Sequence, residues 1–210
     1  MNWMYSEIWP SATWSIIDYY GEPKHAYYQM KKSFAPILLT FVQKKGGVTA
    51  LTVVNDTDFA GKTKVVYGVK TLSGEVIWRK KATLNIPKNG VAQLELRDEV
   101  ALESTYVFAE CTIGGEKLEC VYSYDMWSSC KFVSDYTYTA QAVEGGLIVH
   151  IKANSFAKGV TLRLPNNCGY TYSDNYFDLQ AGEEKTVCIH GKANVEDLTV
   201  TDFAKERNYA

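Results

Sequence analysis

The sequence predicts an all-β protein: two tandem immunoglobulin-like β-sandwiches that follow a short strand, loop and helix. Three observations carry this prediction. After Pro36 the apolar residues recur with period two, the spacing of half-buried strands. Turn signals at Gly46-Gly47, Asn55-Asp56, Ser73-Gly74, Asn89-Gly90 and Gly114-Gly115 cut that pattern into short runs. No helical pattern of ordinary length appears beyond residue 36. The spacing divides the chain into residues 1–34, 35–127 and 128–210.

Residues 1–34 differ from the rest. Trp3, Trp9, Trp14, Tyr19 and Tyr20 crowd an irregular stretch that ends at Gly21. Glu22-Pro23 then opens a helix, because proline near the first helical position loses no needed N–H. Along it Tyr27, Met30 and Phe34 recur at helical spacing, and Ala35-Pro36 ends it. The first sandwich takes its strands from Ile37–Gln43, Val48–Val54, Thr63–Lys70, Glu75–Lys80, Val91–Arg97, Thr105–Ile113 and Lys117–Tyr124. Val91–Arg97 alternates most cleanly, with Ala92, Leu94 and Leu96 on one face. The second sandwich takes Tyr136–Ala142, Gly146–Lys152, Gly159–Leu164, Glu184–His190 and Asp197–Thr201.

One hairpin has two readings. A two-residue turn at Gly114-Gly115 sets Ile113 opposite Glu116. A four-residue loop sets Ile113 opposite Leu118 and Cys111 opposite Cys120, keeps both inner faces apolar, and is the register expected here. It would bring two thiols together, either as a disulfide or as two reduced core cysteines.

Composition narrows the function. The net charge is −2, from 22 Lys and Arg against 24 Asp and Glu, whereas nucleic-acid binders carry a basic excess. No apolar run approaches the ~20 residues that span a bilayer. The segment MNWMYSEIWP has no secretory pattern. The five cysteines and three histidines, Cys111, Cys120, Cys130, Cys168, Cys188, His25, His150 and His190, show no metal-ligand spacing. No nucleophile elbow or phosphate loop is present, so neither a metal nor a cofactor is expected. Asp174, Asp178, Glu183 and Glu184 fall in or beside turns and read as surface charges. Fifteen tyrosines offer a different clue. The pairs Tyr122/Tyr124, Tyr136/Tyr138 and Tyr170/Tyr172 each lie on one face of a strand, where they either stack on sugar rings or pack in a core.

Two phrases carry a resemblance. The first runs Trp3-Met4-Tyr5-Ser6-Glu7-Ile8-Trp9-Pro10, then Thr13-Trp14-Ser15-Ile16-Ile17-Asp18-Tyr19-Tyr20-Gly21, Pro23-Lys24 and Ser33-Phe34-Ala35-Pro36. It resembles the end of the catalytic barrel in β-mannosidases of glycoside hydrolase family 2. The second, Tyr172-Ser173-Asp174-Asn175-Tyr176-Phe177-Asp178-Leu179 with Gly182-Glu183, resembles a phrase of that family's C-terminal domain. The resemblance implies that residues 1–34 are the last part of a (β/α)8 barrel and that the barrel proper is the partner of this region. It implies mannose-containing glycans as ligands of the intact enzyme, with Trp3, and more weakly Trp9, placed toward the sugar. Ser6-Glu7 replaces the family's Asn-Asp. The family's acid/base glutamate follows an asparagine, and no Asn-Glu dipeptide occurs here. Retaining hydrolysis needs two carboxylates ~5–5.5 Å apart on a rigid frame. The expectation is therefore a non-catalytic region of a glycosidase, with no catalytic residue of its own. A carbohydrate-binding module and a tandem-sandwich scaffold are the alternatives. Residues 1–34 are expected to fold back on the first sandwich or to self-associate, because exposed aromatic surface finds partners.

Overall fold

The computed structural model describes residues 4–43, 49–96, 104–124, 126–165 and 169–207. These group into two compact units: residues 33–131, and residues of 1–32 together with 132–210.

The unit of residues 33–131 is a sandwich. Its strands are β1 (Ile37–Gln43), β2 (Thr49–Asn55), β3 (Gly61–Thr71), β4 (Val76–Ile86), β5 (Gly90–Leu96), β6 (Thr105–Ile113) and β7 (Glu116–Tyr122). Among the described residues they form an antiparallel sheet β1-β2-β5 and a second one, β4-β3-β6-β7. Leu39, Leu51, Val53, Ala92 and Leu96 from the first pack on Val65, Tyr67, Leu84, Ile86, Ala109 and Ile113 from the second. Period-two alternation thus does here what it predicts: it gives each sheet one apolar face.

The other unit holds a second sandwich. Its strands are β8 (Tyr136–Val143), β9 (Gly146–Ala153), β10 (Ala157–Arg163), β11 (Thr171–Tyr172), β12 (Phe177–Leu179), β13 (Glu184–His190) and β14 (Thr199–Thr201). The sheets run β11-β13-β9-β8 and β12-β10-β14. Leu147, Val149, Ile151, Val187 and Ile189 of the first bury against Val160, Leu162, Phe177 and Leu179 of the second. The all-β, immunoglobulin-like architecture holds.

Four expectations change. The hairpin β6–β7 uses the two-residue turn, pairing Ile113 with Glu116, Cys111 with Leu118 and Ala109 with Cys120. Gly114 and Gly115 both take positive φ, +61° and +86°, which is the conformation such a tight turn needs. Turn chemistry fixed the register, and Glu116 stays exposed at the strand end. Cys111 and Cys120 are free thiols. β4 continues six residues past Lys80: Lys80, opposite Tyr67, puts a charge on the inner side and lays its Nζ over the Trp78 ring, and the apolar alternation resumes at Ala82, Leu84 and Ile86. The helix α1 (His25–Ser33) buries Tyr28, flanked by Tyr27, rather than the expected Tyr27, Met30 and Phe34 stripe; Phe34 is exposed. Finally, the N-terminal stretch packs on the second sandwich, not the first. Tyr28, 2% exposed, is part of that sandwich's core.

Candidate functional site

The best-defined polar arrangement is in residues 4–24. Ser6 bridges Ile17 in parallel, and Ile17 bridges Pro23 in antiparallel fashion. The backbone N–H of Ile17 donates to Tyr5 (3.0 Å) and that of Lys24 to Ile16 (2.9 Å). Asp18 shapes the turn between them: its Oδ1 accepts from the N–H of Tyr20 (2.9 Å) and of Glu22 (2.8 Å). Gly21 follows at φ +85°, a left-handed conformation that suits glycine. Ile16 and Ser15 are buried beneath.

These bridges bring Glu7 to Lys24. The Glu7 Oε1 accepts from Thr13 Oγ1 (2.9 Å), from Ser15 Oγ (3.1 Å) and from Lys24 Nζ, with which it forms an ion pair. Lys24 also donates to Ser15 Oγ at 3.0 Å. Lys24 above all, and then the two hydroxyls, hold the Glu7 carboxyl down at about 2 against the opposing effect of desolvation. A general acid in glycoside hydrolysis needs a raised pKa, and a nucleophile needs an open lone pair facing substrate. Glu7 has the opposite of the first property, a lowered pKa. It is a knot that holds three segments together, so the Ser6-Glu7 departure from the family phrase keeps a polar role.

Large apolar side chains are left outside the knot. Tyr5, Ile8, Trp9, Trp14, Tyr19 and Tyr20 are all exposed, Trp9 at 62% and Trp14 at 84%. Trp3 lies outside the described residues.

The second phrase is equally structural. Asn175 is buried, donates through Nδ2 to the Leu162 carbonyl (3.0 Å) and accepts at Oδ1 from the Leu162 N–H (2.8 Å). Asp178 takes Lys158 at 2.8 Å and the Gly159 N–H at 2.9 Å. Asp174 pairs with Lys185 at 2.7 Å, Glu184 with Lys152 at 2.7 Å, and Glu183 accepts from Gln180 N–H at 2.8 Å. Asp174, Asp178 and Glu183 are therefore committed partners, whereas Glu184 and Lys152 form an exposed surface pair. The two phrases also meet. Lys31 donates to the Ser173 carbonyl (2.9 Å), Gln29 to that of Tyr176 (3.3 Å), and His25 stacks on Tyr176 with centroids 5.2 Å apart. Spacing in sequence gives no hint of this contact, because it spans some 140 residues.

The tyrosine pairs do not form a flat exposed strip. Tyr172 is core, and Tyr136 packs on the same core while its hydroxyl donates to the Val200 carbonyl at 3.2 Å. Tyr170 donates to Lys192 (3.3 Å), and Tyr122 packs on Phe41 and Tyr124. Of these rings Tyr138 is exposed, at 43%. Among the described residues no group of three or more His, Cys, Asp or Glu could hold a metal ion. No helix there is long and apolar enough to cross a membrane.

Residues 133–205 match the family model of the Ig-fold domain Ig_mannosidase. Over 90% of its length the chain is 24% identical to Beta-mannosidase B of Thermothelomyces thermophilus, of which it covers 25%. Among solved structures it superposes on the Beta-D-Mannosidase of Dictyoglomus thermophilum with a TM-score of 0.80 at 21% identity, covering 96% of this chain and 26% of that one. It also superposes on the exo-chitosanase of Amycolatopsis orientalis with a TM-score of 0.66 at 17% identity, covering 97% of this chain and 29% of that one. The chain thus spans about a quarter of the length of these relatives.

Proposed function

We propose that this chain, an Ig-like stretch of the glycoside hydrolase family 2 β-mannosidase type, is the non-catalytic support of an enzyme that hydrolyses terminal β-mannosides. In this reading residues 1–34 end a catalytic barrel, 35–127 are an intermediate sandwich and 128–210 a terminal one. The observation that carries it is the contrast within residues 4–24. The backbone there is fixed by the Glu7 knot and the Asp18 turn, yet six large aromatic or aliphatic side chains face outward. Several large apolar side chains exposed on one fixed stretch of backbone point to a binding face. The partner that fits is the barrel, and Trp9 and Trp3 are its sugar-side residues. The carboxylates support the non-catalytic part of the reading, since Glu7, Asp174, Asp178, Glu183 and Glu184 all have cationic or N–H partners.

An aryl β-mannoside assay tests it. The chain alone is expected to give no turnover; robust turnover refutes the reading. Calorimetric titration with manno-oligosaccharides tests the alternative of a binding module, for which saturable binding to the chain alone is the required result.

A further inference from the structure

The chain as a whole is slightly acidic, yet one face of the unit of residues 33–131 is basic. On the β3–β4 pair the register sets Lys62 opposite Asn85, Lys64 opposite Thr83, Val66 opposite Lys81 and Gly68 opposite Arg79. Directly opposed residues share a face. The other face is core, with Thr63, Val65 and Tyr67 of β3 and Leu84 and Ile86 of β4 buried. Lys62, Lys64, Lys81 and Arg79 therefore stand on the solvent side, one cation at each successive two-residue step, and all four are exposed. At ~3.3 Å per residue this is a row about 20 Å long.

The row is not neutralised. Among the described residues none of the four is in an ion pair. The carboxylates nearest in register, Glu110 and Glu119, both lie against Lys117, at 4.0 and 2.8 Å. With Lys117 and with Lys70, which follows on the same side of β3, six cations thus face two carboxylates. Beside the row a shallow depression of about 600 Å³ is lined by Lys62, Lys64, Lys117, Val66 and Thr112, with one carboxylate, Glu110. Like charges placed side by side repel, and a field of this kind attracts a partner of opposite sign.

A line of cations suits an extended chain with repeated negative charge better than one compact anion, which needs donors that converge. Single-stranded nucleic acid is held by bases stacked on exposed aromatic rings. Among the described residues this face shows none; it offers Thr83, Asn85 and Thr112, whose groups suit sugar hydroxyls. We infer that the solvent face of β3–β4 binds an acidic polysaccharide, with carboxylate or sulfate groups on successive sugars paired to Lys62, Lys64, Lys81 and Arg79. The inference goes beyond the support role proposed above and uses none of the residues on which that role rests.

Calorimetric titration of the full chain tests it, using oligogalacturonate long enough to span the row, a neutral manno-oligosaccharide and oligo-dT of matching length. Oligogalacturonate is expected to bind at least about tenfold more tightly than the other two, and to weaken about tenfold between about 50 and 200 mM salt. The double variant Lys64→Glu/Lys81→Glu is expected to lose that binding with an unchanged thermal melt, since both side chains are exposed. Lys88→Gln, off this face and paired with Asp58 at 2.7 Å, is expected to retain it. Three results overturn the inference: no oligogalacturonate binding at low salt, equal or tighter binding of oligo-dT, or binding undiminished in the double variant.

Discussion

Asn175 sits where a strand residue should. Continuing the Val160–Phe177 pairing by two residues places it opposite Leu162, but its side-chain amide, not its backbone, bonds both backbone groups of Leu162. The next residue, Tyr176, has φ +54°, so the chain bends away there, and the amide closes the gap in the ladder. Replacing Asn175 by Ala leaves a buried N–H and a buried C=O without partners. At 1–3 kcal/mol for each, the loss is about 3 kcal/mol, measured as a lower urea midpoint. Asn175→Asp is expected to fail as well, because a carboxylate cannot donate to the Leu162 carbonyl. Glu7 gives a pH signature instead. Its folded pKa lies below its unfolded value of 4.5, so its contribution to stability is complete above pH 4.5 and fades as pH falls toward 2. Glu7→Gln is expected to melt lower than the parent at pH 7, with the gap narrowing through that window in scanning calorimetry. Neither role was legible beforehand. Glu7 and Lys24 are 17 positions apart and Asn175 and Leu162 are 13 apart, so no local period links them.

At the scale of elements, local patterning was a good guide to several strands. β1, β6 and β13 match the expected boundaries residue for residue. Reading failed where a different force decides. In the β6–β7 hairpin the apolar match favoured a longer loop, but two consecutive glycines make the tight turn cheap, and an edge strand tolerates one exposed glutamate at its end. In this register Cys111 and Cys120 are diagonal neighbours, and diagonal Cα atoms lie ~7–8 Å apart, beyond the 4.4–6.8 Å usual for a disulfide. Burial pushes both thiols up, Cys111 to about 11, which suppresses the reactive thiolate. Non-reducing mass spectrometry is therefore expected to find no Cys111–Cys120 bond. Gly115→Val forces a β-branched residue to positive φ and is expected to cost about 1–2 kcal/mol, read by chemical denaturation. The short strands β11 and β12 escaped notice because two or three residues show no period.

For the molecule as a whole, the resemblance supplied what periodicity could not. Period-two runs give sandwiches; they do not say what a stretch of exposed tryptophans is for. The reading proposed above gives that stretch a barrel as its partner. If that face docks, Trp14→Ser is expected to raise the chain's solubility without lowering its melting temperature, since Trp14 is 84% exposed and contributes little to the fold. A drop in melting temperature on that substitution would show that the ring is already packed in this chain.

The burial of Tyr28 has a practical corollary. A protein trimmed to the Ig-fold match, residues 133–205, would begin life with a ring-sized hole in its hydrophobic centre. Its natural plug is a helix encoded more than a hundred positions earlier. Supplied as a synthetic peptide covering residues 4–33, that plug should reseat itself and restore cooperative unfolding to the trimmed protein, while the same peptide carrying Tyr28→Ala should not.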